Sequence, residues 1–479
     1  MVLDQISALA RDTITPTVRL GVTGLSRAGK TVFITALVDN LLNGGRLPFF
    51  EPARQGRITS VFLEPQPDDD VPRFPYETYR ALLRGNGEGQ PPDWPDGTRA
   101  ISELRLTFEY EARGALASAR EWITGRHVLH LDIVDYPGEW LLDLPLLDQS
   151  FEAWSADAMR LAREPLRALH ARDWLTCVKA LDPTADADER AVEAAAETFR
   201  DYLLRCRDAS HVLSTLSPGR FLLPGERAGS PALTFAPLDV SPDTPPAKPG
   251  SLHAMMARRF EAYKTTIVKP FYRDHFARLD RQIVLVDALA ALNSGVEAVA
   301  DLERAVSSVL ASFRTGTNSW LSLILGRRID RLLFAATKAD HLHETSHDRL
   351  KAVLGVLTEK ARGTADFAGA ETAIEAIASV RATRQATKQI DREELGCIIG
   401  TPMPGEKIDG KTFHGSREAA IFPGDLPENP SAALRDPKAF ATETAFVRFR
   451  PPTPPNARTP LPHIRLDRAL QFLLGDRLT

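Results

Sequence analysis

A chain of 479 residues with 59 Lys and Arg against 63 Asp and Glu carries a formal net charge of −4. That balance excludes a whole-molecule electrostatic drive onto nucleic acid or an anionic membrane, while the length admits two or more domains, or one with large insertions. Three widely spaced cysteines (Cys177, Cys206 and Cys397) have no metal-ligand spacing and read as reduced thiols of a cytoplasmic protein.

Asp4 and Asp12 interrupt the N-terminal apolar positions, against a signal peptide. Charges break every long apolar run, against a transmembrane helix. In chain order, TVRLGVT (17–23) reads as a buried strand, followed by a Gly-containing loop and a helix near 30–43. Residues 45–100, rich in Pro, Gly and Asp, read as a long mobile segment with short elements. LRLTFEY (104–110) alternates like a strand, and HVLHLDIVDYPG (127–138) is a strand running into a loop. Residues 151–217 read as helical. Phe199, Tyr202, Leu203 and Cys206 fall on one apolar face, so Cys206 reads as core. A Pro, Gly and Ser-rich loop spans 218–250, and a helix follows over 251–279.

Strands are expected in RQIVLVDAL (281–289), DRLLFAATKAD (330–340) and AIEAIASV (373–380), with a helix through RLKAVLGVL (349–357). The tail from 384 reads as irregular and turn rich, with FVRFR (446–450), a Pro run (451–455) and a short helix near 466–474. Strands alternating with helices imply an α/β fold with a mostly parallel sheet. The helical block is too long for an ordinary connection and is an insertion. The expected parts are the first half of the sheet domain (1–150), a helical insertion (151–279), the second half of that domain (280–383) and a C-terminal extension (384–479).

The strongest chemical signal is Gly24-Leu25-Ser26-Arg27-Ala28-Gly29-Lys30-Thr31, a full G-x-x-x-x-G-K-[ST] match. Chance produces it in roughly 1–2% of chains this long, and here it also follows a strand and opens a helix, as its mechanism requires. Backbone N–H groups through Val32 would cradle phosphate oxygens at the helix N-terminus. Lys30 would reach the β- and γ-phosphates, and the Thr31 hydroxyl would ligate Mg²⁺. Arg27 either reaches the phosphates or points to solvent, as most Arg residues do.

Asp135-Tyr136-Pro137-Gly138 closes an apolar strand. A carboxylate there holds Mg²⁺ through water, and the Gly138 N–H touches the γ-phosphate. Alone, D-x-x-G carries no weight, and Asp135 could simply cap a turn. Thr337-Lys338-Ala339-Asp340 closes another strand. Asp340 would accept from the N1–H and 2-amino group of guanine, a pair adenine lacks, and the Lys338 stem would lie along the base. The plain alternative is a surface turn.

These motifs occur in the order and strand context of Ras-like GTPases. GLSRAGKT, DYPGEW and FAATKADHLHETSHDRL moreover resemble the YcjX-like family of bacterial P-loop stress proteins, over most of the chain. The resemblance implies a Ras-like core with a helical insert that binds GTP and GDP and hydrolyses GTP, a link to a membrane-protein partner, and a peripheral position at the inner membrane as the alternative to a free cytoplasmic one. The switch threonine could be Thr59, Thr78 or Thr98. Thr59, in GRITS after a turn, is preferred here. Glu139 stands where a switch Gln often follows D-x-x-G; it repels the γ-phosphate unless neutralised, so slow hydrolysis is expected, with Lys30, Glu139 and Thr59 as the catalytic set. The fifth motif is indistinct, and SVRAT (379–383) places Arg381 and Ala382 at the base.

Two further patterns invite weighing. His341, His343 and His347 sit within seven residues, and His343 and His347, which would share a helix face, could hold a metal, though the segment starts a helix and can be solvated or structural. WLSLILGRR (320–328) is either a shallow membrane contact or a helix packed on the core. The reading that results is a Mg²⁺-dependent GTP-binding switch with low intrinsic turnover. The alternatives are an ATP-dependent P-loop enzyme and a nucleotide-stabilised scaffold.

Overall fold

The computed structural model describes residues 15–25, 27–85, 89–111, 127–209, 213–245, 247–311, 329–367, 369–390, 393–408, 410–435, 446–456 and 458–479. Its centre is a seven-stranded sheet built from β1 (Thr17–Gly24), β2 (Ile58–Glu64), β3 (Ser102–Tyr110), β4 (His127–Asp135), β5 (Arg281–Val286), β6 (Arg331–Ala336) and β7 (Glu371–Ala376), in the order β2-β3-β4-β1-β5-β6-β7. The five strands β4, β1, β5, β6 and β7 run parallel. β2 and β3 form an antiparallel edge on β4. The near-continuous apolar runs of β1, β5 and β6 follow from helices covering both faces of the sheet.

Helix α1 (Lys30–Leu42) is buried along almost its whole length, with Phe33, Ile34, Ala36, Leu37 and Val38 fully enclosed. Such a helix carries no amphipathic stripe. Its one carboxylate, Asp39, is enclosed as well and accepts from Arg80 Nε at 2.6 Å, Arg84 Nη2 at 3.1 Å and the Leu461 N–H at 2.8 Å. The two arginines come from α2 (Tyr76–Arg84). The segment expected to be mobile over 45–100 therefore contains an edge strand and a helix that closes over α1.

The insertion supplies α3 (Phe151–Ala162), α4 (Pro165–Lys179), α5 (Glu189–Asp208) and α6 (Leu252–Tyr263). Its core is aromatic: Trp154 stacks on Phe260 with centroids 5.0 Å apart, and Trp174 on Tyr202 at 5.2 Å. Cys206 is buried in the same core, and burial pushes its thiol up to about 11. The insertion runs into β5, which α7 (Ala288–Ser294) and α8 (Val296–Ala311) follow; buried Arg167 of α4 meets Asp301 of α8 at 2.7 Å.

Beyond β7 the tail is more ordered than its composition suggests. β8 (Arg384–Ile390) and β9 (Glu393–Gly400) pair antiparallel, with Ala419–Ile421 on the other side of β9. Helix α9 (His347–Phe367) precedes β7, and the final helix, α10, spans Leu466–Leu474 and shares its apolar cluster with α1 and the sheet. Fully buried Arg281 holds it from β5, donating to the Leu473 carbonyl and to Asp476 at 2.5–2.6 Å. The helix thus completes the core around α1 and the sheet. Truncating a fully buried leucine leaves a cavity costing about 2–5 kcal/mol, so Leu470→Ala should lower unfolding free energy by that amount in a urea titration. A change below about 0.5 kcal/mol, the surface-substitution range, would show that α10 is not core.

Candidate nucleotide site

The chemistry-bearing residues collect at one edge of the sheet because the parallel strands end there in register. Val22 pairs with Asp135, Gly24 with Leu285, and Val286 with Ala336. Loops leaving the carboxyl ends of such strands are where open α/β sheets bind ligands.

The loop after β1 turns through Arg27 at φ 64° and Gly29 at φ 88°, and Gly29 caps α1. That left-handed backbone suits glycine at 29. Ser26 lies outside the described residues. Ala28 is buried, and Val32 packs partly against the core under the sheet. Lys30, almost enclosed, donates to the Gly24 carbonyl at 2.8 Å. Gly138 comes up against the same carbonyl: a Cβ at 138 would stand 1.8 Å from Gly24 O and 3.1 Å from Lys30 Nζ. Thus the two phosphate motifs touch through backbone.

Three oxygen-bearing side chains meet beside them. Thr98 Oγ1 donates to Asp135 Oδ2 at 2.8 Å and stands 3.4 Å from Thr31 Oγ1. Asp135 Oδ1 is buried without a hydrogen-bond partner among the described residues. Burial pushes the Asp135 carboxyl up to about 7, against the pull of the Lys30 ammonium and the Thr98 hydroxyl. An all-oxygen set with an unspent buried carboxylate oxygen suits a hard divalent cation such as Mg²⁺.

Thr59 is not part of this cluster. It is exposed on β2, donates to the Glu109 carbonyl at 3.0 Å, and flanks the register pair Ile58–Tyr110. Tyr110 pairs with His127, eight residues up β4 from Asp135, or roughly 27 Å at strand spacing. Thr78 is exposed on α2. Of the three candidate threonines, the structure therefore places Thr98, and not the preferred Thr59, beside Asp135. The usable signal was register: Ser102 opens β3 opposite Asp135, so a threonine just before β3 arrives at the metal end.

On the other side of Gly24, the base motif is assembled. Lys338 adopts φ 61°, and the Thr337 and Ala339 N–H groups donate to Val286 and Ile377, each at 3.0 Å. Asp340 is buried; its Oδ2 accepts from the Ala382 N–H at 2.8 Å, and its carbonyl from the Thr383 hydroxyl. Arg381 turns back on its own loop, Nε donating to the Thr383 carbonyl at 2.9 Å. Sequence reasoning missed Asp287, which caps α7 and bonds Lys338 Nζ, fixing that side chain. It ends the β5 strand next to Thr337, so strand-end position was again the signal.

The three histidines do not converge. His341 lies edge-on to Phe449 at 5.4 Å, His343 bonds Thr345 at 3.0 Å, and His347 is buried. Among the described residues, no group of three or more His, Cys, Asp or Glu side chains is arranged around a metal. None of the described helices is long and apolar enough to cross a membrane, and 320–328 lies outside the described residues.

Glu139 opens a 3₁₀ stretch, Gly138–Asp148, that is bolted to the insertion. Asp143, enclosed, accepts from the Gly219 N–H at 2.6 Å, the Arg220 N–H at 3.3 Å and the Tyr263 hydroxyl at 2.5 Å. Burial pushes its carboxyl up to about 6 against those donors. Trp140 Nε1 donates to the Leu223 carbonyl at 3.2 Å, and the Arg220 guanidinium covers the Trp140 ring at 3.1 Å. Gly219 is required there, since a Cβ would fall 1.8 Å from the Glu139 carbonyl.

The sequence matches the YcjX-like family, DUF463, over residues 18–478. It is similar to the protein named Ras-like GTPase YcjX in Escherichia coli strain K12, 38% identical over 485 residues and 99% of each chain. It is also similar to the protein of that name in Shewanella oneidensis, 37% identical over 487 residues, covering 96% of this chain and 94% of the relative.

Removing Asp143 strands the buried Gly219 N–H, the part-buried Arg220 N–H and a buried phenol, at about 2–4 kcal/mol in total. Asp143→Ala should lose that much stability and speed amide exchange in both 138–148 and 217–223. Unaltered exchange in 217–223 would show that the two segments are not joined through this carboxylate.

Proposed function

This chain belongs to the YcjX-like family, DUF463, and we propose that it binds Mg²⁺–GTP, hydrolyses it slowly, and acts as a nucleotide-dependent switch. The observation that carries the reading is the Thr98 hydroxyl held between Thr31 and Asp135, beside the Gly24 carbonyl that takes the Lys30 ammonium and lies against the Gly138 backbone. Thr31 and Thr98 would ligate Mg²⁺ and Asp135 would hold it through water. Bound there, the ion supplies neutralisation of charge on the β- and γ-phosphate oxygens. Lys30 would exchange the Gly24 carbonyl for those oxygens. Thr98 would act as the switch residue, because its hydroxyl answers to the metal while its neighbours face solvent.

The base reading rests on Asp340. Its buried carboxylate already orients the Ala382 loop and presents acceptors that suit the N1–H and 2-amino group of guanine, with Lys338 set beside it by Asp287. An adenine nucleotide offers no donor pair to that carboxylate, which disfavours the ATP-dependent alternative. Glu139, buried beside Gly138, puts a negative charge near the terminal phosphate, and that repulsion supports low turnover.

The test is a magnesium titration of GTP and GDP binding to wild type, Thr98→Ala and Thr59→Ala. Loss of one metal-ligating hydroxyl removes a charge-assisted contact of about 1.5–3 kcal/mol. Thr98→Ala should therefore weaken Mg²⁺-supported GTP binding ~10-fold or more, with GDP binding less affected and Thr59→Ala like wild type. A wild-type titration in Thr98→Ala would remove the metal assignment.

A further inference from the structure

At the C-terminal end of α5, the insertion delivers an arginine to the phosphate end of the site. Arg207 lines a cavity of about 20 Å³ together with Leu25 and Arg27 of the phosphate loop and with Glu139. These are the loop residues after Gly24 and the residue after Gly138, so the cavity opens where a terminal phosphate and its attacking water would meet. Glu139 is buried there. The charge of Arg27 reaches α5: Arg207 first, and Arg27 after it, holds the Asp208 carboxyl below the usual range. Arg207 itself is held by Asp208, Nε to Oδ1 at 3.0 Å and Nη2 to Oδ2 at 3.2 Å, with about a quarter of its side chain exposed.

We propose that Arg207 is a catalytic arginine supplied in cis by the insertion, leaving Asp208 to contact the transferred phosphoryl group and Glu139. The proposal rests on the GTPase reading above and adds the group that makes Glu139 tolerable there. In the reaction, the water oxygen bonds to the γ-phosphorus as the bond from phosphorus to the β,γ-bridging oxygen breaks. GDP leaves with that electron pair, and the water proton passes to the released phosphate. Negative charge accumulates on the bridging and γ-oxygens. A planar, permanently charged guanidinium meets two such oxygens at once, and Glu139, neutralised from the side by Arg207 and Arg27, is left to orient the water. Asp208 sets the resting position of the arginine. Because the helical insertion is also joined to the 138–148 segment through Asp143, movement of that segment with nucleotide carries the arginine's platform with it.

The experiment compares wild type, Arg207→Ala, Arg207→Lys and Asp208→Asn as full-length proteins. Three readouts are needed: GTP and GDP affinity, single-turnover hydrolysis of Mg²⁺–GTP, and retention of GDP in the presence of aluminium fluoride. Arg207→Ala should bind GTP and GDP within about two-fold of wild type, hydrolyse GTP about 10³-fold more slowly, and lose fluoride-dependent GDP retention. Arg207→Lys should not restore either, and Asp208→Asn should keep or raise the rate. Wild-type turnover in Arg207→Ala overturns the proposal. If wild type binds GTP without turning it over, equal fluoride-dependent retention in wild type and Arg207→Ala overturns it instead. Absence of guanine-nucleotide binding in the wild-type titration would overturn the nucleotide reading itself, and this proposal with it.

Discussion

Where β1 and β4 end side by side, the Gly138 backbone lies against the Gly24 carbonyl, with the Lys30 ammonium on the same oxygen. No side chain fits between them. That closeness follows from the parallel pairing of Val22 with Asp135, which brings two loops off adjacent strands to one point. The residues proposed to hold phosphate and metal are placed around that pairing: Thr31 by the first turn of α1, Asp135 by the end of β4, and Thr98 by the connection that returns from α2 into β3. A one-residue slip between these strands would turn Asp135 to the opposite face and separate the carboxylate from Thr31.

The rest of the molecule serves this edge from two sides. The C-terminal helix seals the α1 face, held by Arg281 from β5 and by the Asp39 network through Leu461. The insertion grips the segment after Asp135 by Asp143, Trp140 and Gly219, and grips α8 by Arg167 and Asp301. The segment that would sense the terminal phosphate is therefore also a wall of the insertion's own core, in one apolar cluster with Trp154 and Phe260. A nucleotide-driven change at Gly138 has a direct mechanical path into the helices, since close-packed cores transmit small shifts rather than absorb them.

Much of this was legible beforehand, and for stated reasons. β1, β5 and β6 announce themselves as short apolar runs. The loop 24–31, Asp135 and Asp340 gain meaning from standing at strand ends, which a sequence reveals. Thr98 was not singled out because register across a hairpin decides which threonine reaches Asp135, and no local pattern encodes register. β2 was hidden in a Pro- and Gly-rich stretch, where its apolar residues Ile58, Val61, Phe62 and Leu63 do not alternate. The terminal helix was visible as a helix, but nothing local says that Leu466, Leu470 and Leu473 pack into one cluster with the sheet and α1. Asp287, Asp143 and Arg207 carry no motif at all, and their roles arise from contacts between segments far apart in the chain.

The central claim is that the carboxylate at the end of β6 reads a guanine base, and substituting that carboxylate tests it most directly. Competition titrations of GTP, XTP and ATP against wild type and Asp340→Asn would be compared. Loss of two charge-assisted hydrogen bonds costs about 2–4 kcal/mol, or ~30- to 1,000-fold in affinity. Xanthine, with a carbonyl in place of the 2-amino group, suits the amide. The account predicts that wild type prefers GTP over ATP and that Asp340→Asn loses GTP affinity by that factor while gaining XTP affinity. An unchanged preference for GTP in the variant, or a wild type that prefers ATP, would contradict it.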